Sequence, residues 1–585
     1  MGTDHTFDRL LDGLDGEQLE AVTSDGAPLC ILAGAGSGKT RVLTRRIAHR
    51  VASGSAQAAL VLALTFTRRA AGELGRRLAD LGVRPRVAAG TFHGMAYAAL
   101  RSRWADRGEW APTLLDHKAR LLVSLLPRRP GVELQPAEIA AEIEWAKARL
   151  LTPEEYEQAV VAAARRPPLP AAAMASLFAR YEDEKRRRRL VDFDDLVLLC
   201  GEALVSDLEF AATQRWRFRH LFVDEFQDVN PAQLRLLEGW LGGRDDLCVV
   251  GDPDQAIYGW NGADPAALTR FPERFPGATV VHLDRTYRSS PQVVAVANAV
   301  LDGWRAPGAR ALRPTRPGGP VPTVTAHAGE HEEAAAVTRS LRNHHTGGRS
   351  WSEMAVLART RAQLVVFEES LRAAGVPFRV RGASAFLDRP SVRSAVADLG
   401  SRPAHSPLTA ALADLDEASH AEADADLEEL GRMMAEQLAL DPGASVGAFL
   451  AWLRTAVPSE PAGDADAVDL ATFHASKGLE WQVVFVVGAE AGFVPVEHAD
   501  TPEARAEERR LLYVAITRAV SELHCSWAQR RTFGTRTVTR APSPWLAMVE
   551  AAVAALSGAG PEVDWRRLLD QVRARVRGSS DPGSG

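Results

Sequence analysis

The chain has 585 residues, 46% hydrophobic and 25% charged, with a formal net charge of −6. At roughly 100–200 residues per domain this is too long for one core, and the balance excludes a disordered or collagen-like chain. The negative charge excludes a generally basic nucleic-acid coat but not a local basic groove, because 69 Lys and Arg can gather on one face. Only five of them are lysines, at positions 39, 118, 147, 185 and 477.

Short apolar runs lie at Leu29–Leu32, Leu60–Leu64, Leu221–Val223, Leu247–Val250 and Thr279–Leu283. Most are followed by a turn or a helical pattern, which predicts a parallel sheet covered on both faces. From about 99 to 189 the rhythm gives way to Ala, Arg, Glu and Leu at helical spacing, as in Ala137–Leu150, and a helical insertion is expected. Strand-like runs resume at Val321–Thr325, Met354–Leu357, Val376–Val380 and Val483–Val487, predicting a second α/β unit. It is interrupted by a helical, Ala- and Asp-rich stretch over 388–466 that ends in a linker-like segment, Pro458–Asp466. The Gly/Ser-rich end, Arg577–Gly585, is expected to be disordered.

The four cysteines, at 30, 200, 248 and 525, lack metal-knuckle spacing and are too few for a disulfide framework. A reduced, intracellular compartment is the expectation. The N-terminal segment has no signal-peptide pattern, and no apolar run approaches the roughly 18–20 residues of a membrane span. A cytoplasmic protein without a membrane partner is expected.

Ala33-Gly34-Ala35-Gly36-Ser37-Gly38-Lys39-Thr40 follows the first apolar run and opens a helical pattern continuing through Arg41. This is the strand–loop–helix context of a P-loop, with Ala33 in place of the first Gly. Small residues let backbone N–H groups curl around phosphates at a helix N-terminus. Lys39 reaches the β- and γ-phosphates, and the Thr40 hydroxyl is suited to Mg²⁺. Leu221-Phe222-Val223-Asp224-Glu225 is an apolar run ending in two acids. Beside a P-loop, Asp224 would hold Mg²⁺ and Glu225 would orient or deprotonate the attacking water. A third run ends in Gly251-Asp252-Pro253-Asp254-Gln255, where Gln255 could sense the γ-phosphate.

With these residues in place, the chain resembles the superfamily 1A DNA helicases of the UvrD/PcrA/Rep family. The resemblance is carried by an ordered set of motifs from Leu14 to Ala519. In the first half these are Leu14–Gln18, the P-loop, Thr65–Ala71, Gly90–Gly94, Val191–Leu196, Asp224–Asp228 and Gly251–Ala263. In the second half they are Leu283–Ser290, Thr472–Trp481 and Glu507–Ala519. It implies two RecA-like parallel-sheet P-loop cores, each interrupted by a mainly helical insertion. The first core spans 1–98 and 190–283, its insertion 99–189, the second core 284–387 and 467–556, its insertion 388–466, and a tail 557–585. The second insertion, at about 80 residues, is shorter than in the large members of the family.

The resemblance also implies roles. Gln18 would read the adenine, Tyr287 would stack on it, and Glu480 would contact the ribose. Arg288 and Arg518 would act as arginine fingers on the γ-phosphate from the second core, a charge worth about 10³–10⁵ in rate in well-studied NTPases. Thr65, Phe66, Thr91, His93, Tyr258, Trp260, Arg359, Thr472 and His474 would line a single-stranded DNA path, where aromatic faces stack on bases. Residue chemistry alone leaves Trp260 between core packing and base stacking, and His93 and His474 between buried histidines and DNA contacts. It leaves Lys185–Arg189 between a solvated face and a contact to duplex or backbone; for Arg509 and Arg510 the default is a solvated or ion-paired arginine. Arg68, Asn261 and Thr286 depart from the family's usual residues. The activity implied is an ATP- and Mg²⁺-dependent 3′-to-5′ DNA helicase and single-strand translocase acting at single-/double-strand junctions, serving repair or recombination beside DNA-repair proteins. The alternatives are a protein-displacing translocase with weak unwinding and a nucleotide-gated DNA-binding subunit.

Overall fold

The computed structural model describes residues 10–558 except 116–117, 127–134, 382–389, 423–426, 428–429, 432, 436–437, 439–442, 457–465 and 534–535. Most of the linker-like segment Pro458–Asp466 and the whole Arg577–Gly585 end lie outside the described residues. Contacts in space divide it into two compact units, Met1–Asp284 with Ala306–Ala309 and Gly382–Asp464, and Arg285–Arg305 with Arg310–Arg381 and Ala465–Gly585.

The first unit is built on six strands: β1 (Leu29–Ala33), β2 (Val61–Thr65), β3 (Ala88–Thr91), β4 (His220–Val223), β5 (Leu247–Gly251) and β6 (Thr279–Leu283). They lie in the order β3-β2-β4-β5-β1-β6, every pair parallel. β1, β2 and β5 are buried at every position, which is why they read as unbroken apolar runs. One face packs on Phe92, Phe218 and Trp240, the other on Leu43, Ile47 and Leu74. Sequence patterning passed over β3, Ala-Ala-Gly-Thr, because it carries no bulky apolar residue. A Cβ at Gly90 would lie 2.8 Å from Met95 Sδ, so close packing rather than side-chain bulk defines that strand.

The first insertion is helical as expected, with helices Pro136–Ala148, Pro153–Ala162 and Ala171–Arg188 around Ile143, Trp145, Tyr156, Phe178 and Tyr181. The helix expected over Ala137–Leu150 stops at Ala148, and Leu150 takes a positive φ of 63°. Three of the chain's five lysines converge here. Lys147 Nζ donates to Asp192 at 2.9 and 2.8 Å and also to Asp195. Lys185 Nζ reaches Asp192 at 3.0 Å and Asp195 at 2.5 Å, and Tyr181 donates to Asp192 at 2.9 Å. Lys118 bridges Glu144 and Asp194. Lys185 is therefore no part of an exposed basic run. Arg186, Arg187, Arg188 and Arg189 are the exposed members, the first three paired with Asp183 and Glu184 on their own helix.

The second insertion also has the expected helices, Pro390–Ser401, Leu408–Glu422 and Val446–Ala456, with a separate apolar cluster including Leu408, Leu430, Met434, Phe449 and Leu453.

The second unit holds β7 (Thr323–His327), β8 (Met354–Ala358), β9 (Phe378–Val380), β10 (Val468–Thr472), β11 (Trp481–Val486) and β12 (Ala519–Ala528). Their order is β7-β12-β11-β8-β10-β9, again parallel. β10 and β12 escaped the apolar-run reading. β10 carries the buried Asp469, neutralised by Arg379 and Arg381 and accepting a hydrogen bond from the Trp481 indole N–H, while β12 interleaves Ser, Glu and His among its buried residues. The four cysteines are free and buried. Among the described residues, no helix is long and apolar enough to cross a membrane.

Candidate active site

In a parallel sheet every strand's carboxyl end lies on one edge, and chemistry gathers there. β1 runs directly into the P-loop, and the helix Lys39–Ala52 starts from Gly38, which sits in the left-handed region at φ 86°. Gly38 brings no side chain to cap that helix, so the first-turn N–H groups face the loop. Ser37 Oγ and Lys39 Nζ are buried without a hydrogen-bond partner, and Lys39 Nζ stands 3.5 Å from Glu225 Oε2. A buried ammonium and hydroxyl beside a helix N-terminus fit an anionic phosphate chain. Thr40 Oγ1 donates to Asp224 Oδ2 at 3.0 Å, and this pair of hard oxygen ligands fits Mg²⁺. Burial, and then the neighbouring Glu225 charge, push Asp224 up to about 6.

Asp224 and Glu225 follow β4, and Glu225 holds a φ of 54°, a strained conformation for a residue with a Cβ. Gln227 bridges the acid to the next strand end. Its Nε2 donates to Glu225 Oε2 at 2.6 Å, and its Oε1 accepts the Asp252 N–H at 2.9 Å. Gln255 donates to Asp252 Oδ2 at 2.8 Å. A Cβ at Gly251 would fall 2.5 Å from Gln227 Oε1, so that approach needs glycine. Gln227 was not among the residues singled out from sequence; its place between two acids in Glu225–Asp228 was the available signal. Gln18 also packs on the loop, its Nε2 donating to Ser37 O at 2.9 Å while Asp15 caps its backbone N–H. Arg41 donates to Gly13 O at 2.9 Å.

The remaining first-unit candidates lie near the same edge. Thr65 ends β2 and Phe66 follows it, 6.1 Å from the ring of Phe92. Thr91 Oγ1 caps the helix Phe92–Asp106 by accepting the Gly94 N–H. His93 lies on that helix 6.0 Å from Phe193, and burial lowers its pKa. Tyr258 is half-buried, whereas Trp260 is 52% exposed on the short turn Gly259–Asn261. Exposure removes the core-packing alternative for Trp260.

In the second unit, Arg288 Nε meets Glu480 at 2.6 Å, and Tyr287 is 39% exposed. Arg518 is buried and donates to Val514 O, Leu479 O and Thr517 Oγ1. Arg359 grips Glu508 through two nitrogens at 2.5–3.1 Å. Thr472 ends β10, its hydroxyl accepting the Ala475 N–H at 3.3 Å. Burial, reinforced by Arg359 and Lys477, lowers the nearby His474 to about 4. Arg509 departs from the solvated default. It is 4% exposed, its guanidinium 4.7 Å from the Trp304 ring and 5.5 Å from Trp545, and burial lowers it to about 10.

A parallel sheet with a phosphate loop after one strand, a Thr–Asp pair beside it and a second acid next to the lysine defines a P-loop nucleotide hydrolase. The UvrD/REP helicase N-terminal domain matches residues 14–276, and the UvrD-like helicase C-terminal domain matches 281–401 and 424–530. The chain belongs to this UvrD-like helicase family. The ATP-dependent DNA helicase UvrD2 of Mycobacterium tuberculosis (strain ATCC 25618 / H37Rv) is 42% identical over 577 residues, covering 92% of this chain and 82% of that protein. The ATP-dependent DNA helicase PcrA of Leuconostoc citreum is 29% identical, covering 98% of this chain and 90% of its own. UvrD1 of Mycobacterium tuberculosis (strain CDC 1551 / Oshkosh), named an ATP-dependent DNA helicase, is 30% identical, covering 99% of this chain and 89% of that protein.

Proposed function

We propose that this ATP-dependent DNA helicase of the UvrD type moves 3′ to 5′ along single-stranded DNA and opens duplex at single-/double-strand junctions, in repair or recombination. The observation that carries the reading is the Gln227 bridge, which ties Glu225 to Asp252 at 2.6 and 2.9 Å. The chain from Asp252 leads within eight residues to the exposed Trp260. A change at the hydrolytic carboxylate is thereby linked mechanically to an aromatic suited to stack on a base.

Lys39 neutralises phosphate charge, and the uncapped N–H groups of its helix add a favourable dipole. Glu225 orients the attacking water and takes its proton. Thr40 and Asp224 would hold Mg²⁺, which when bound stabilises charge on the phosphates as a Lewis acid. We assign Gln18 and Tyr287 to the adenine, Glu480 to the ribose, Gln255 to sensing the γ-phosphate, and Arg288 and Arg518 to the transition-state charge. Thr65, Phe66, Thr91, His93, Tyr258, Arg359, Thr472 and His474 are assigned with Trp260 to the DNA path.

The test pairs two matched duplexes, one with a 3′ and one with a 5′ single-stranded tail, with ATP turnover followed in the same tubes. Opening of the 3′-tailed duplex alone, abolished together with DNA-stimulated turnover in Lys39→Ala, is the expected result. Stimulated turnover with neither duplex opened would replace unwinding by protein-displacing translocation, and full turnover in Lys39→Ala would overturn the site.

A further inference from the structure

In the second unit, remote in sequence from every helicase motif of the first, the helix Glu330–Thr346 packs on β12 through His344. β12 presents Glu522 and His524, two residues apart and therefore on one face of the strand. One ligand atom from each of the three side chains lies within 4.8 Å of the others. Glu522 Oε2 stands 3.8 Å from His344 Nε2 and 4.0 Å from His524 Nε2.

The surroundings orient these atoms. The other Glu522 oxygen, Oε1, accepts from Arg349 at 2.6 Å, which turns Oε2 toward the imidazoles. His524 Nδ1 shares a 2.9 Å hydrogen bond with Thr323 Oγ1 on the neighbouring strand. With the Thr323 hydroxyl as acceptor, Nδ1 carries the proton and the lone pair lies on Nε2, the tautomer a metal-ligating histidine needs. That Nε2 is buried and has no hydrogen-bond partner. Phe485 stacks on the same imidazole at 4.8 Å and fixes its plane.

We propose that His344, Glu522 and His524 form a zinc site that staples the helix Glu330–Thr346 to β12, with a fourth position open to water. Two imidazole nitrogens and one carboxylate oxygen match the donor preference of Zn²⁺ and exclude Mg²⁺ or Ca²⁺, which take oxygen ligands. Binding at bonds of about 2.0–2.2 Å requires the His344 and Glu522 side chains to turn toward His524. The side chains are 20%, 14% and 25% exposed, so an ion can enter without unfolding.

The test uses the full-length, untagged chain stripped with chelator, titrated with Co²⁺ and then Zn²⁺ in excess Mg²⁺, which saturates the nucleotide site's oxygen ligands. One equivalent of Co²⁺ should give the visible absorption of a four- or five-coordinate site, and Zn²⁺ should displace it. Thr323→Val, which leaves all three ligands in place, should weaken binding about 10–100-fold. His524→Ala and Glu522→Gln should abolish it while leaving the thermal midpoint of the metal-free protein near that of the stripped parent. Zinc should raise the midpoint of the parent and not of these variants. No saturable Co²⁺ binding by the parent chain, or binding retained in both ligand variants, would overturn the site and leave Glu522 as an ion-pair acceptor for Arg349.

Discussion

Lys147→Met tests how much the buried lysine–aspartate cluster of the first insertion contributes to stability. Lys147 is 3% exposed and its ammonium meets Asp192, which is fully buried, together with Asp195 and Glu182. Replacing it with Met preserves most of the volume but strips Asp192 of one of its two ammonium partners, leaving Lys185 and the Tyr181 hydroxyl. Breaking a buried ion pair by removing one partner costs about 3–5 kcal/mol, and the remaining Lys185 places this site at the lower end. At about 2–4 °C per kcal/mol for a domain of 150–250 residues, the midpoint should fall by about 6–12 °C in scanning calorimetry. Lys147→Arg should also lower it, because a planar fork cannot occupy a pocket where acids close on a single point. Burial opposes charge at both partners, yet their mutual attraction dominates: Asp192 is held well below its ordinary range and Lys147 well above its own. The Asp192 contribution is complete above 3.8 and is lost as pH falls through its lower folded value. The Lys147 contribution is complete below 10.5 and is lost as pH rises through its higher folded value. The deficit of Lys147→Met should therefore be flat from about pH 5 to 9. A midpoint within about 2 °C of the parent, or a deficit that changes steeply across that range, would refute the reasoning.

Gln227→Ala removes the bridge between Glu225 and Asp252 and should lower kcat for ATP about 10–100-fold, with nucleotide affinity nearly unchanged; a loss confined to affinity would contradict the assignment. Trp260→Ala should weaken single-stranded DNA binding by about 1–3 kcal/mol in fluorescence anisotropy, with basal turnover retained, and equal affinity would remove Trp260 from the path. His474 should titrate near 4 by NMR, not near 6.5. Its folded pKa is lowered, so its contribution to stability is complete above 6.5 and declines as pH falls toward 4; His474→Asn should reduce that decline.

The phosphate site was legible because its chemistry is local. Ala33–Thr40 must bend around an anion, and only small residues permit it, so the loop announces itself wherever it occurs. Asp224 and Glu225 were legible for a related reason, as acids at the end of an apolar strand. Buried strands with bulky residues could be read in the same way. β3 and β10 could not, because a strand of Ala, Gly and Thr, or one with a buried Asp469, is defined by what packs against it.

Trp260 and Arg509 show the same limit in opposite directions. An aromatic that could have filled the core is exposed, and an arginine that could have been solvated lies between Trp304 and Trp545. The sequence by itself determined the fold class through its apolar runs, and the family through the resemblance of its ordered motifs. Tertiary structure alone decided that Lys147 and Lys185 share one buried aspartate across 45 and 7 residues, that Gln227 joins two strand ends, and that His344 meets Glu522 and His524. Those pairings depend on desolvation and on contact between distant segments, and neither quantity exists until the chain has folded.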